Sequence, residues 1–185
     1  MQIRRFLFLA AGVLALTGRA AGAQEAGKTG VAMGYPASIG IIWHAGDKVA
    51  IRPELSISGS SSKTSGSSFA NDSDGLGFGT GVSLLVYLHT HDHLKTYFSP
   101  RFTYSRNTNT NNSSGVTTAS SKTTSTGTGG SGSFGAQYAL GDKFSVFGEL
   151  GFGVTYSKAT NNTTSTKTTG TSWGTRSGVG VIFYF

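Results

Sequence analysis

Three arginines and two glutamates lie within segments of the sequence where apolar and polar side chains alternate. They are Arg52, Glu54, Arg101, Glu149 and Arg176. Charged groups are tolerated away from water when they pair with one another, so these guanidinium groups and carboxylates would form a salt-bridge network if they converge. A narrow gated pore for small solutes, with an arginine constriction, is the functional alternative. We expect the paired network, with a narrow pore as the alternative.

The run His89, His91 and His93 is the cluster that most resembles a metal site. A spacing of two on a strand places three imidazoles on one side, and His44 could lie at the same rim. One short polar turn seldom supplies a complete set of metal ligands. We therefore keep the three histidines as weak candidates and expect neither a metal nor another cofactor.

A serine, a histidine and a carboxylate that converge would indicate a hydrolase. The four histidines fall in predicted turns or at interior positions, and none lies in the polar tracts 59–75, 107–132 and 158–171. We expect no enzymatic activity, and a lipid-modifying envelope enzyme is the third and least favoured class.

The segments that carry the charged residues alternate with a period of two, which is the pattern of half-buried β-strands. In one of them Val49, Ile51 and Leu55 share a face opposite Arg52 and Glu54. We separate the first two strands at Pro36, because proline cannot donate to a ladder. An even strand number is also typical of single-chain barrels. The prediction is eight strands, over 27–35, 38–44, 49–58, 76–89, 94–105, 133–140, 144–156 and 173–185.

One face of these strands is apolar throughout, whereas the other carries glycine, serine, threonine and the five charges. The polar face cannot form an apolar core, and the apolar face is too extensive to leave in water. Contact with lipid resolves the conflict, because a closed barrel satisfies every backbone group. We expect an all-β, transmembrane, antiparallel up-and-down β-barrel. Its five charges point into the lumen above an apolar plug of Ile42, Leu85, Tyr87, Tyr97, Phe147, Ile182 and Tyr184.

Loop lengths and aromatic positions agree with this orientation. Short turns at 45–48, 89–93 and 140–143 alternate with the long polar tracts, as short periplasmic turns alternate with long extracellular loops in outer-membrane barrels. Aromatic side chains collect near both ends of the predicted strands, where interfacial girdles form. The loop-side girdle is Tyr35, Phe78, Tyr104, Tyr156 and Trp173, and the turn-side girdle is Trp43, Tyr138, Phe144, Phe183 and Phe185.

The first residues have the order of a secretion signal: Arg4 and Arg5, an apolar run from Phe6 to Leu16, then Ala21, Gly22 and Ala23. We predict a cleaved signal peptide at 1–23 and one barrel domain at 24–185, exported through the Sec pathway. Removing Arg4, Arg5 and Arg19 lowers the formal charge from +7 to +4. Scattered basic residues do not indicate nucleic-acid binding, and cysteine is absent.

The terminal motif Gly180-Val181-Ile182-Phe183-Tyr184-Phe185, with this architecture, resembles the eight-stranded outer-membrane barrels of the OmpA transmembrane-domain and OmpX type. The resemblance covers the whole mature chain. It implies that Gly180, Phe183 and Phe185 form the signal read by the barrel-assembly machinery. One position departs from the pattern, because Val179 stands where a polar residue usually precedes the glycine.

The role expected from these features is structural or surface-interacting: adhesion, protection or envelope integrity, in the bacterial outer membrane. The lysines of the polar tracts, Lys63, Lys122, Lys158 and Lys167, are placed to meet lipopolysaccharide phosphates. We expect a monomer, and an unknown surface ligand remains open.

Overall fold

A computed structural model describes residues 27–35, 38–66, 69–114 and 119–185. The predicted signal peptide and Pro36 lie outside these ranges. Eight antiparallel strands follow one another around a closed ring. Their bounds are β1 Thr29–Tyr35, β2 Ser38–Gly46, β3 Val49–Gly66, β4 Phe69–His91, β5 Leu94–Ser114, β6 Ala119–Ala139, β7 Phe144–Asn161 and β8 Lys167–Tyr184. Within the described ranges, no helix is long and apolar enough to cross a membrane.

The predicted number of strands and their parity are confirmed. Arg52 and Glu54 are buried, whereas their neighbour Leu55 is exposed on the outer face. The same alternation places Leu85 and Tyr87 inside and Val82 and Leu88 outside. Two irregularities interrupt the ladders, one between His44 and Gly46 and one between Tyr87 and His89.

The long polar tracts differ from the prediction, because most of their length continues the strands instead of forming loops. The β3–β4 ladder runs without interruption from the Val49–Val86 pair to the Gly66–Phe69 pair. The alternation of apolar and polar side chains stops where contact with lipid would stop. Backbone hydrogen bonding between strands does not require that alternation, and threonine favours strands. We call the polar upper parts of these strands, together with the turn between β7 and β8, the crown; it comprises residues 59–66, 69–75, 107–114, 119–125 and 158–171.

The first hairpin is much shorter than the others. β1 pairs with β8 only from Gly30–Tyr184 to Tyr35–Val179, and β2 pairs with β3 only as far as Ile39–Leu55. Beyond those pairs, residues 56–66 of β3 and 167–178 of β8 have described ladder partners on one side only, in β4 and β7. The wall of the barrel is therefore lower at β1 and β2 than elsewhere.

An apolar layer fills the turn-side half of the lumen. It consists of Ala32, Ile42, Ala50, Leu85, Tyr87, Tyr97, Ile182 and Tyr184, with Phe147 packed against it. This confirms the predicted plug. The charged residues lie above it on the same inward faces, so the fold stacks an ionic layer on an apolar one.

Candidate functional site: the lumen ion cluster

Arg52 is the centre of a charged cluster in the lumen. Its side chain is almost completely buried, with Nε 2.6 Å from Glu54 Oε1 and Nη2 2.6 Å from Glu149 Oε1. The ring of Phe147 lies against the guanidinium group, 4.9 Å from Cζ to the ring centroid. Arg52 thus connects β3 to β7 across the lumen and covers the apolar plug.

Two residues of β5 extend the cluster. Arg101 forms an ion pair with Glu54, and Tyr97 donates a hydrogen bond from its hydroxyl to Glu149 Oε1 at 2.9 Å. Side chains of β3, β5 and β7 are therefore joined, although no two of these strands are neighbours in the ring. We call Arg52, Glu54, Arg101 and Glu149 the lumen cluster.

Not every donor in the lumen cluster is satisfied. Arg52 Nη1 and Arg101 Nε are buried and have no hydrogen-bond partner among the described residues, and the same is true of Ser83 Oγ. A buried donor without a partner costs free energy. Because these atoms are enclosed by protein, the cost falls on the stability of the cluster itself.

Arg176 was expected to belong to one five-residue network, but it lies apart from the lumen cluster. Its Nη1 donates to Ser131 Oγ at 3.3 Å, and within the described ranges no carboxylate pairs with it. The cause is register: Arg176 lies opposite Gly151, whereas Glu149 lies opposite Gly178. Arg176 is thus two residues further toward the crown than a partner of Glu149 would be.

A second polar chain crosses the plug below the lumen cluster. Tyr87 donates to Gln137 Oε1 at 3.0 Å, and Gln137 Nε2 donates to Tyr184 Oη at 3.0 Å. His44 Nε2 lies 3.1 Å from the same Tyr184 oxygen, and the His44 ring stacks on Tyr87. Sequence reasoning placed His44 at the rim and passed over Gln137, although the inward parity of Gln137 between Gly135 and Ala139 was the available signal.

A cavity of about 350 Å³ lies on the crown side of the lumen cluster. Arg52, Glu54, Arg101, Glu149 and Arg176 all line it. Its remaining wall includes the ends of the first hairpin, Tyr35 and Ser38, and residues of β3 and β8 above that hairpin. The charged residues therefore face an open space above and a closed apolar layer below.

The three candidate histidines do not converge. His89 and His91 are exposed, and His91 Nε2 lies 3.5 Å from Asp92 Oδ2. His93 packs edge-on against Tyr138, with 6.1 Å between the ring centroids. Across the described ranges, no group of three or more histidine, aspartate or glutamate residues could hold a metal ion.

The aromatic residues of both predicted girdles have exposed side chains on the outer face. All ten lie near a strand end or the upper edge of the apolar band, and Tyr35, the last residue of β1, is at a strand end that lies low in the barrel. Tyr35 lies opposite Val179, six residues further from the crown than Trp173 on β8. Because the first hairpin is short, Tyr35 lies within the apolar band rather than at its edge.

The terminal motif comprises the end of β8, up to Tyr184, and Phe185 directly after it. Phe183 and Phe185 are exposed on the outer face, and Phe185 N donates to Thr29 O at 3.2 Å. A side chain at Gly180 would collide with Met33 O and with the Phe147 ring. Gly180 therefore allows Phe147 to lie beneath Arg52.

Similarity to solved structures supports the architecture. A major outer membrane protein from Thermus thermophilus superposes with a TM-score of 0.52 at 12% identity, covering 85% of this chain and 98% of that one. This chain has the fold of the small outer-membrane β-barrels. CarO from Acinetobacter baumannii matches this barrel with a TM-score of 0.46, 12% identity and coverage of 89% and 100%. Ail from Yersinia pestis matches the barrel with a TM-score of 0.34, 12% identity and coverage of 85% and 95%. No protein-family model and no curated protein matches the barrel.

Proposed function

We propose that the chain is a non-conducting barrel of the bacterial outer membrane, with a structural and surface-interacting role exerted through its crown. The observation that carries this proposal is the double closure of the lumen. Arg52 is 1% exposed, and Ile42, Leu85 and Ile182 beneath it are fully buried. A channel for small solutes needs a continuous water-filled path. The buried ionic layer and the apolar layer beneath it oppose such a path.

Single-channel recording in planar bilayers tests the closed lumen. The wild-type barrel is expected to give no conductance steps. The double variant Arg52→Ser/Tyr97→Ser, which thins both layers, is expected to conduct. Defined steps from wild-type protein would favour the narrow pore instead.

Cell fractionation tests the location. The protein is expected in outer-membrane fractions, with a gel mobility that changes on boiling in detergent. Recovery as a soluble periplasmic protein would contradict the proposal.

The crown supports contact with an anionic surface layer. It carries four lysines, Lys63, Lys122, Lys158 and Lys167, against Asp72 and Asp74. The Lys63–Asp72 pair is exposed, with 3.8 Å between Nζ and Oδ2. Lipopolysaccharide phosphates are the partner that this charge excess fits.

The matched experiment uses the lysines at the opposite end of the barrel. Changing the four crown lysines to glutamine is expected to weaken lipopolysaccharide binding in detergent. Changing Lys28, Lys48, Lys95 and Lys143 to glutamine removes the same charge at the turn side and is expected to leave binding unchanged. Equal losses in the two variants would mean that net charge alone matters.

A further inference from the structure

The low wall at the first hairpin leaves a lateral opening between β3 and β8. β1 ends at Tyr35 and β2 begins at Ser38, while both flanking strands continue toward the crown. Among the described residues two strands are absent from the ring above this point, so β3 and β8 stand three strand spacings apart, or about 14 Å at the usual spacing. We call this the β3–β8 opening.

The opening lies at the level of the apolar outer band. Ile57, just above the hairpin on β3, is exposed on the outer face and pairs with the outward-facing Phe78. On the other side, Trp173 of β8 is exposed and packs against Phe152. Six residues separate Trp173 from Val179, the partner of Tyr35, or about 20 Å of strand. Thr175 and Ser177 face outward between them, so the rims are apolar at Ile57, Trp173 and Val179 and carry hydroxyl groups in between.

The opening leads into the 350 Å³ cavity. Ile57 and Ser58 of β3 and Ser177 and Val179 of β8 line that cavity together with the lumen cluster and Arg176. Three arginines and two glutamates face it, which leaves one formal positive charge. Arg176 is only partly buried, donates to Ser131 Oγ, and pairs with no carboxylate of the described residues.

We propose that the β3–β8 opening admits a single-chain amphiphile whose monoanionic headgroup binds in the cavity. Its acyl chain passes out between Ile57 of β3 and Trp173 of β8. One negative charge balances the excess positive charge, and its oxygens accept from the Arg176 guanidinium group. The inference rests on the proposed membrane location but not on the closed lumen.

The test uses the two tryptophans of the chain as reporters. Single-tryptophan variants Trp43→Phe and Trp173→Phe of the refolded barrel, in a nonionic detergent, are titrated with 9,10-dibromostearate, whose bromines quench nearby tryptophan. Trp173 lies on a rim of the opening, whereas Trp43 is at the turn side. Saturable quenching of Trp173 alone is expected, reversed by stearate and absent with the dibromostearate methyl ester. Equal quenching of both tryptophans, or equal effects of acid and ester, would show simple partition into the micelle and overturn the proposal.

Two matched pairs of variants locate the site. Arg176→Gln is expected to raise the dibromostearate concentration at half-saturation roughly tenfold, which is the effect of losing one charge-assisted hydrogen bond. Arg106→Gln, on the exposed outer face, should have no effect. A side chain at Gly178 makes ordinary contact with Tyr35 O and one at Gly174 meets nothing within 4 Å, so both positions accept leucine. Gly178→Leu should abolish the quenching by filling the opening, and Gly174→Leu should not. Unaltered quenching in Gly178→Leu would refute the route, whatever the conductance experiment gives.

Discussion

Arg52 and Glu149 meet across the lumen with 2.6 Å between Nη2 and Oε1, although 97 residues separate them in the chain. Their contact, with the Tyr97 hydroxyl on the same carboxylate oxygen, joins three strands above the apolar plug. Because both partners are buried, the stability of the barrel depends on keeping the charges matched.

Glu149→Ala is expected to lower the free energy of unfolding by about 3–5 kcal/mol, because it leaves Arg52 buried with too few acceptors. Urea unfolding of the barrel refolded in detergent measures this. Asp72→Ala is the control, since it breaks an exposed ion pair worth about 1 kcal/mol or less. Wild-type stability of Glu149→Ala would mean that the cluster is solvated.

Arg176→Ala is expected to cost only about 1 kcal/mol, the value of an ordinary hydrogen bond, because Ser131 is its recorded partner. Arg101→Ala should cost several times more, since it removes the ion pair with Glu54. The same unfolding measurement compares them. A larger loss for Arg176→Ala would place Arg176 inside the ionic network after all.

Gly180→Ala is expected to destabilise the refolded barrel by about 1–3 kcal/mol, because the added methyl group overpacks the site beside Phe147. Gly174→Ala, on the same strand and with open space around it, should be neutral or slightly stabilising. Thermal melting in detergent is the measurement. Equal melting temperatures for the two variants would show that the Met33 backbone and the Phe147 ring both move aside freely.

Phe185→Ala is expected to reduce the amount of assembled barrel in cells far more than it reduces the melting temperature of refolded protein. The alanine variant keeps the amide that donates to Thr29 O, so only the aromatic group is lost. Phe144→Ala, which removes another exposed aromatic paired with Phe183, is the control. Parallel losses for the two variants would make Phe185 an ordinary girdle residue.

Alternation along the sequence was sufficient to predict the strands that bear apolar side chains, and with them the inward direction of Arg52, Glu54, Arg101 and Glu149. It was insufficient in the crown, because serine and threonine tracts do not alternate in hydropathy even where Lys63 and Asp72 pair across a ladder. It also could not give the stagger between strands. That stagger separates Arg176 from Glu149 and places Tyr35 below Trp173, and it depends on pairing between distant segments.

The shortness of β1 also bears on how the ring closes. β1 joins β8 only through the six residue pairs from Gly30 to Tyr35, between segments about 150 residues apart in the chain, so this seam combines the largest loop-closure entropy of any ladder with a short ladder. Ladders of that kind form late and open early. Amide protons of β1 should therefore exchange with solvent sooner than those of β4 or β5 at the same depth, and the barrel should unzip from this seam.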